Sequence, residues 1–482
     1  MSLLSLALLA GCGQVTELAA ERPPNLVLIS IDGLRGDRGD EVTPTLARLA
    51  GDGLRYERAY SQSNESLFSH AAMLTGRHVS ELGAPDYRSF TLVDDAMTLA
   101  EILGLYGYAT AGFVAGGHVK GAYGFDQGFS VYQDSHDFGA FFHTAPEALD
   151  WVDERSREPY FIFLHGYDCH RPYLHAGPWH HAFGADYDGS VDALMSGGRS
   201  AEQVYDGVFY PDFPIEHFTH EVGDPIVDPG GYLRIADWAR RSDEGVPLSE
   251  ADIAHLRDHY DGGALAADLQ VGRFLEALDA RGLLENTLVI ATSDHGEDLH
   301  DHGFFNHRAV LRDSTTRVPL VLWGAPVPES ARGTSRAGLA QAVDLVPTLL
   351  AAAGAQAPAG LPGRDLLSDA EAPSVIFQEG ILDQFAARGG RWRLVLRGVP
   401  LAFEGFDAAL ALAPMTPEWF ALYDLESDPL ERENALAGHL EEAEALRAAM
   451  IAWRAGRDRS DQRGAPPEDP ALRELLRSRG YW

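Results

Sequence analysis

Three unbroken apolar runs organise the chain. Residues 25–31 (NLVLISI), 160–164 (YFIFL) and 288–292 (LVIAT) show no polar alternation, the pattern of strands buried on both faces of a parallel sheet. Each stops at residues that carry chemistry: Asp32 before Gly33, His165 before Gly166, and Ser293-Asp294-His295-Gly296. Ligands of open α/β sheets bind beyond the carboxyl ends of the strands. A buried Asp there is costly unless a cation or donor meets it, and adjacent Asp294 and His295 can both turn toward one cation.

Helical patterns separate these runs. Residues 43–51 (TPTLARLAG) begin at a capping Thr43, place Pro44 in the first turn and stop at Gly51. Residues 98–107 fit a helix, and 109–115 a short strand. Leu265, Leu269, Phe274, Leu275 and Leu278 recur at helical spacing before Gly282. Strand and helix alternation predicts an α/β fold, a mixed, mainly parallel sheet flanked by helices. Beyond residue 370, residues 375–378 and 392–397 read as strands of a smaller C-terminal antiparallel sheet, followed by a Glu/Ala-rich helix to about Ala455. Residues 175–249, rich in Asp, Gly and Pro, read as an insertion without its own core, with His180 and His181 exposed in it.

One polar loop leads into a short apolar helix, SQSNESLFSHAAMLTGRH over residues 61–78. Ser69 is expected to cap it, Ala71 to Leu74 to form it and Gly76 to end it, with Ser66 just before the first turn. Free backbone N–H groups at that start favour an anion. Serine also precedes many helices simply as a cap, so Ser66 gains meaning only from its surroundings.

Composition narrows the partners. A net charge of −34 repels polyanions, so nucleic acid is excluded as a partner, and an anionic substrate needs local compensation by metal, His or Lys. Lys120 is the only lysine, beside His118 in a glycine-rich loop, and is expected to hold an anionic ester. Two cysteines, Cys12 and Cys169, make no disulfide framework. Leu9-Ala10-Gly11-Cys12 after a short apolar run resembles a bacterial lipoprotein signal (residues 1–12), which implies export and attachment to membrane lipid through Cys12 at the cell envelope. Cys169 reads as packing.

The ordered set NLVLISID, TPTLARLAGDGLRYERAYS, SHAAMLTGRH, SDHGE, RVPL and LYDLESDPLERENAL resembles the sulfatase family of the alkaline phosphatase superfamily from Asn25 to Trp453. The resemblance implies an alkaline-phosphatase-like fold, a catalytic domain over residues 23–365, a subdomain over 370–456 and a polar tail over 457–482. It puts Ser66 at the nucleophile position and implies one divalent cation, usually calcium, on Asp32, Asp294, His295 and Ser66. The imidazole of His295 also suits manganese or zinc. Lys120, His170 and His307 fall near the family's ester-holding positions, and His70, four residues beyond Ser66, is a candidate base. Glu297 and Asp298 are expected to face solvent.

Two departures stand out. The family converts Cys or Ser to formylglycine within Cys/Ser-x-Pro-x-Arg, whereas Ser66-Leu67-Phe68-Ser69-His70 has neither Pro nor Arg, and Gly33 replaces a second metal Asp. The expected activity is metal-dependent hydrolysis of a small-molecule or glycan sulfate ester. An unmodified Ser66 favours phosphate monoesters, diesters or phosphonates instead. A third reading is a non-catalytic, lipid-anchored binder of sulfated or phosphorylated glycans.

Overall fold

The computed structural model describes residues 22–456 apart from 83–89, 93–95, 137, 156–157, 171–172, 174–178, 180–181, 185–186, 188, 190–248, 304, 309, 381–383 and 398–405. Cys12, His180, His181, most of the insertion and the polar tail therefore lie outside the described residues.

The apolar runs form the centre of the main sheet. Its strands are β1 (Asn25–Ile31), β2 (Leu54–Tyr60), β3 (Ala109–Phe113), β4 (Val131–Gln133), β5 (Tyr160–Gly166) and β6 (Thr287–Thr292). A small separate hairpin, β7 (Asp298–Leu299) and β8 (Phe305–Asn306), follows. The sheet is completed by β9 (Arg317–Val318), β10 (Leu320–Gly324) and β11 (Thr334–Gln341). The order is β11-β2-β10-β6-β1-β5-β3-β4, with β9 paired to β2. β1 runs parallel to both β5 and β6, while β10 is antiparallel to β6 and β2.

Alternation along β1 sends its side chains into two cores. Leu26 and Leu28 pack with the 66–75 and 345–352 helices; Val27, Ile29 and Ile31 pack under helices Pro44–Asp52, Phe141–Arg155 and Glu250–Asp279. Cys169 is fully buried in the second core, where it packs as expected. Register then sets the site: Ser30 lies opposite His165 of β5 and Thr292 of β6, so the three strands end level.

The C-terminal sheet, β12 (Val375–Glu379), β13 (Phe385–Gly389), β14 (Trp392–Leu396) and β15 (Phe420–Asp424), is antiparallel throughout. One face packs on Ala443, Leu446 and Met450 of helix Leu440–Ala455. The other turns Ala386, Val395, Ala421 and Tyr423 toward Leu311 of the main body. Among the described residues no helix is long and apolar enough to cross a membrane.

Candidate active site

The ends of β1 and β6 bring Asp32, Asp294 and His295 together, with one ligand atom from each within 4.8 Å of the others. All three are fully buried. Gly33 holds φ +73°, a left-handed turn that glycine adopts freely, and its N–H donates to Asp294 Oδ1 at 3.1 Å. The His295 N–H reaches the same oxygen at 2.9 Å. His295 Nδ1 lies 2.7 Å from the Gly296 carbonyl, so Nδ1 carries the proton and Nε2 presents its lone pair. Gly33 thus orients Asp294 through its backbone.

Ser66 enters from the helix Ser66–Thr75. Its Oγ lies 3.0 Å from Asp32 Oδ2 and 3.1 Å from His295 Nε2, so one hydroxyl proton has two acceptors. The helix start differs from the sequence expectation. Ser66 is the first helical residue, and the cap is Glu65, whose carboxylate accepts from the Leu67 N–H at 2.8 Å. Ser69 is no cap, because its hydroxyl donates to the Ser63 carbonyl at 3.0 Å. Gly76 ends the helix in the left-handed conformation, as its sequence position implies.

His70 sits one turn below Ser66. Its Nδ1–H donates to the Ser66 carbonyl at 2.8 Å, and Nε2 is 3.0 Å from Ser30 Oγ. Both nitrogens therefore brace the first helical turn against β1. Burial lowers its pKa, against the opposing pull of the Asp294 carboxylate.

A row of histidines leads outward. His307 stacks on His295 with ring centroids 4.1 Å apart, and His170 meets His307 edge-on at 5.4 Å. His307 Nδ1 is 3.3 Å from Glu297 Oε2. Glu297 and Asp298 do not face solvent: both are fully buried. The chain after His295 folds inward, Glu297 meets His307, and Asp298 accepts from Ser314 Oγ at 3.0 Å and pairs with His302. Lys120 is half-buried on the loop after β3. From this loop His118 Nδ1 reaches Glu65 Oε1 at 2.9 Å.

Three further residues belong to the site. Arg308 Nη2 bonds Glu65 Oε1 at 2.8 Å. His165 accepts the Ala115 N–H on Nδ1 and turns Nε2 toward Asp32 Oδ2 at 3.5 Å. Glu65 itself is fully buried. The only sequence signal for Glu65 was an acid directly before a candidate nucleophile. Arg308 had adjacency to His307 alone.

The residues suit a cation. Among the described residues Asp32 Oδ1 and Asp294 Oδ2 are buried without a hydrogen-bond partner, beside the lone pair of His295 Nε2. Burial, and next the neighbouring Asp294 charge, push the Asp32 carboxyl well above the usual carboxylate range. Burial opposes ionisation of Asp294 too, yet His295, His70 and His165 hold it below that range. Two carboxylates and a neutral imidazole match a divalent ion in charge and donor type.

The sequence model of the family described as Sulfatase matches residues 24–355. The N-acetylglucosamine-6-O-sulfatase of Bacteroides thetaiotaomicron is 24% identical over 377 residues, covering 67% of this chain and 65% of the relative, so the chain spans just under two thirds of that protein's length. An arylsulfatase of Clostridium perfringens is 24% identical, covering 90% of this chain and 95% of its own. Human arylsulfatase A is 29% identical, with 90% and 86% covered. Among solved structures, BT4656 in complex with its substrate D-glucosamine-2-N,6-O-disulfate superposes with a TM-score of 0.66 at 18% identity, covering 92% of this chain and 99% of that one. The phosphonate monoester hydrolase of Agrobacterium radiobacter gives 0.64 at 19% identity, covering 90% and 96%. The structural likenesses establish the shared fold, and the sequence match over residues 24–355 establishes kinship: the chain belongs to the sulfatase family of the alkaline phosphatase superfamily.

Proposed function

We propose that the protein hydrolyses sulfate esters, with Ser66 as nucleophile and one divalent cation on Asp32, Asp294, His295 and Ser66. The observation that carries this reading is the Ser66 hydroxyl set between Asp32 and His295 beside two buried carboxylate oxygens that lack hydrogen-bond partners among the described residues. When bound, the cation lowers the pKa of the Ser66 hydroxyl and neutralises one ester oxygen. Calcium is the family's usual ion, and the His295 imidazole extends the choice to manganese or zinc.

Ser66 Oγ forms the new bond to sulfur, and its proton passes to Asp32 Oδ2, which already accepts it. The bond from sulfur to the alcohol oxygen breaks, and His170 or His307 returns a proton to the departing oxygen. As formylglycine hydrate, residue 66 keeps a second hydroxyl that expels sulfate by re-forming the aldehyde; as plain serine it leaves an enzyme ester that water must cleave, which suits phosphorus. Lys120 holds the anion from the β3 loop. His70 serves as brace rather than base, because the Ser66 carbonyl and Ser30 engage its two nitrogens. The substrate class is a sulfated sugar, as the name of the Bacteroides relative suggests. The catalytic unit spans residues 23–365 and the subdomain 370–456, exported and held at the bacterial envelope by lipid on Cys12.

A second reading, hydrolysis of phosphate or phosphonate esters, is favoured by Leu67-Phe68-Ser69-His70 after Ser66, which leaves the formylglycine motif incomplete. The phosphonate hydrolase neighbour fits it. The mass of the Ser66 peptide from the native host separates the two. A species two hydrogens lighter than serine establishes formylglycine and sulfate esters; intact serine with turnover of p-nitrophenyl phosphate but not p-nitrophenyl sulfate establishes the second reading. Binding of either anion with no turnover of any ester overturns both in favour of a binder.

A further inference from the structure

Asn64, Glu65 and Ser66 are consecutive, and each is committed to the same corner of the site. Asn64 Nδ2 donates to the His307 and Val310 carbonyls, both at 2.8 Å, pinning the loop that carries Arg308. Glu65 bonds Arg308 Nη2 through the oxygen that His118 Nδ1 also reaches, and its other oxygen caps the nucleophile helix. Arg308 Nη2 and His118 Nδ1 lie 3.3 Å apart, so two loops distant in sequence meet over one carboxylate.

Capping a helix does not require a fully buried glutamate; Ser, Thr, Asp or Asn suffices. What Glu65 adds is a charge that fixes a guanidinium and an imidazole beside Ser66. The Arg308 side chain is 12% exposed and that of His118 23%, so both reach the rim of the buried site. Guanidinium is a planar fork with five donors, and here Nη2 bonds Glu65. Its geometry matches two oxygens of a tetrahedral oxyanion. In a chain of net charge −34, a guanidinium at the rim of the site is a donor that an anionic ester needs.

We infer that Glu65 is a positioning residue holding Arg308 and His118 as a clamp on the terminal oxygens of the ester, whether sulfate or phosphate. The inference rests on the reading of Ser66 as the reacting centre, but its test does not need turnover. Calorimetric binding of inorganic sulfate and, separately, inorganic phosphate to the metal-loaded full chain is compared among wild type, Arg308→Ala, Arg308→Lys, Glu65→Gln and Glu65→Asp. Arg308→Ala is expected to weaken binding about 10- to 100-fold, and Lys to restore part of it. Glu65→Gln keeps the cap acceptor and removes a negative charge. As a bystander charge its loss tightens anion binding; as a positioning group its loss weakens it, by about tenfold.

Weakening in both Arg308→Ala and Glu65→Gln supports the clamp, and the anion more affected identifies the ester it reads. Unchanged affinity in Arg308→Ala, or tighter binding in Glu65→Gln, overturns it. If the Glu65 variants do not fold, Arg308→Ala and His118→Asn decide the question by the same measurement. An Arg308-dependent anion site in a protein that turns over no ester leaves the clamp standing and removes the hydrolytic reading. Turnover that survives Ser66→Ala removes only the assignment of the nucleophile.

Discussion

Two buried clusters of charge in this molecule resolve the same physical problem differently. At the seam between the main body and the C-terminal sheet, Arg393 is fully buried with Nη2 2.5 Å from Asp313 Oδ1 and Nε 3.3 Å from Glu431 Oε1. Arg312 donates to the Glu431 carbonyl at 2.8 Å, and Arg388 donates to Tyr60 Oη at 2.7 Å, which in turn donates to Asp313 at 3.1 Å. Every acid there has an arginine within the chain. Among the described residues Asp32 and Asp294 pair with no arginine or lysine; only the imidazoles of His70, His165 and His295 approach them. A buried charge that the chain pairs with arginine is architecture; one that it leaves beside imidazoles alone is a candidate cation site.

The largest effect expected from breaking this contrast is chemical. Ser66→Ala should lower kcat/KM by about 10⁴-fold or more on the preferred ester while the protein remains folded and still binds metal. Steady-state kinetics with metal-loaded protein checks this, and activity within tenfold of wild type would exclude Ser66.

At the seam the effect is on stability. Arg393→Met leaves buried Glu431 and half-buried Asp313 without their shared guanidinium and should cost about 3–5 kcal/mol in chemical unfolding. The triple replacement Arg393→Met, Asp313→Leu, Glu431→Leu, which removes the charges together, should recover much of that loss. A mild effect of the single change would mean that water already screens the seam.

The site should respond in the opposite way. A divalent ion at 100 times its dissociation constant should raise stability by about 2.7 kcal/mol, and Asp294→Asn should abolish that rise. Thermal unfolding with and without metal provides the comparison.

Asp344 is a smaller control, a buried carboxyl met by the Gln341 and Arg364 backbone N–H groups. Burial pushes its pKa up to about 6. Because the folded value exceeds the unfolded one, its contribution is fullest below about pH 4 and is lost as pH rises through 6. The stability difference between Asp344→Asn and wild type should therefore move in favour of Asn by on the order of 1–2 kcal/mol between pH 4 and 7. A difference constant with pH would contradict it.

Much of the catalytic scaffold was legible because local pattern and register coincide. The apolar runs became β1, β5 and β6, and the residues that close them became the floor of the site. What escaped depends on partners far away in sequence. Glu65 reads as an ordinary loop acid until Arg308, 243 positions on, lies against it. Ser69 reads as the better cap because hydroxyls usually are, but a glutamate tied to Arg308 and His118 takes its place. Glu297 and Asp298 looked solvent-facing because nothing local marks their partners His307, His302 and Ser314. The seam was equally hidden, since Arg393, Asp313 and Glu431 come from separate segments.

Metal stoichiometry tests most directly whether the paired carboxyls hold a cation. Elemental analysis after equilibrium dialysis against calcium, manganese and zinc in turn should find one equivalent of at least one ion on the wild type. It should find none above background on Asp32→Asn/Asp294→Asn, both proteins being folded by circular dichroism. Equal metal on the two proteins, or none on either, would contradict the account.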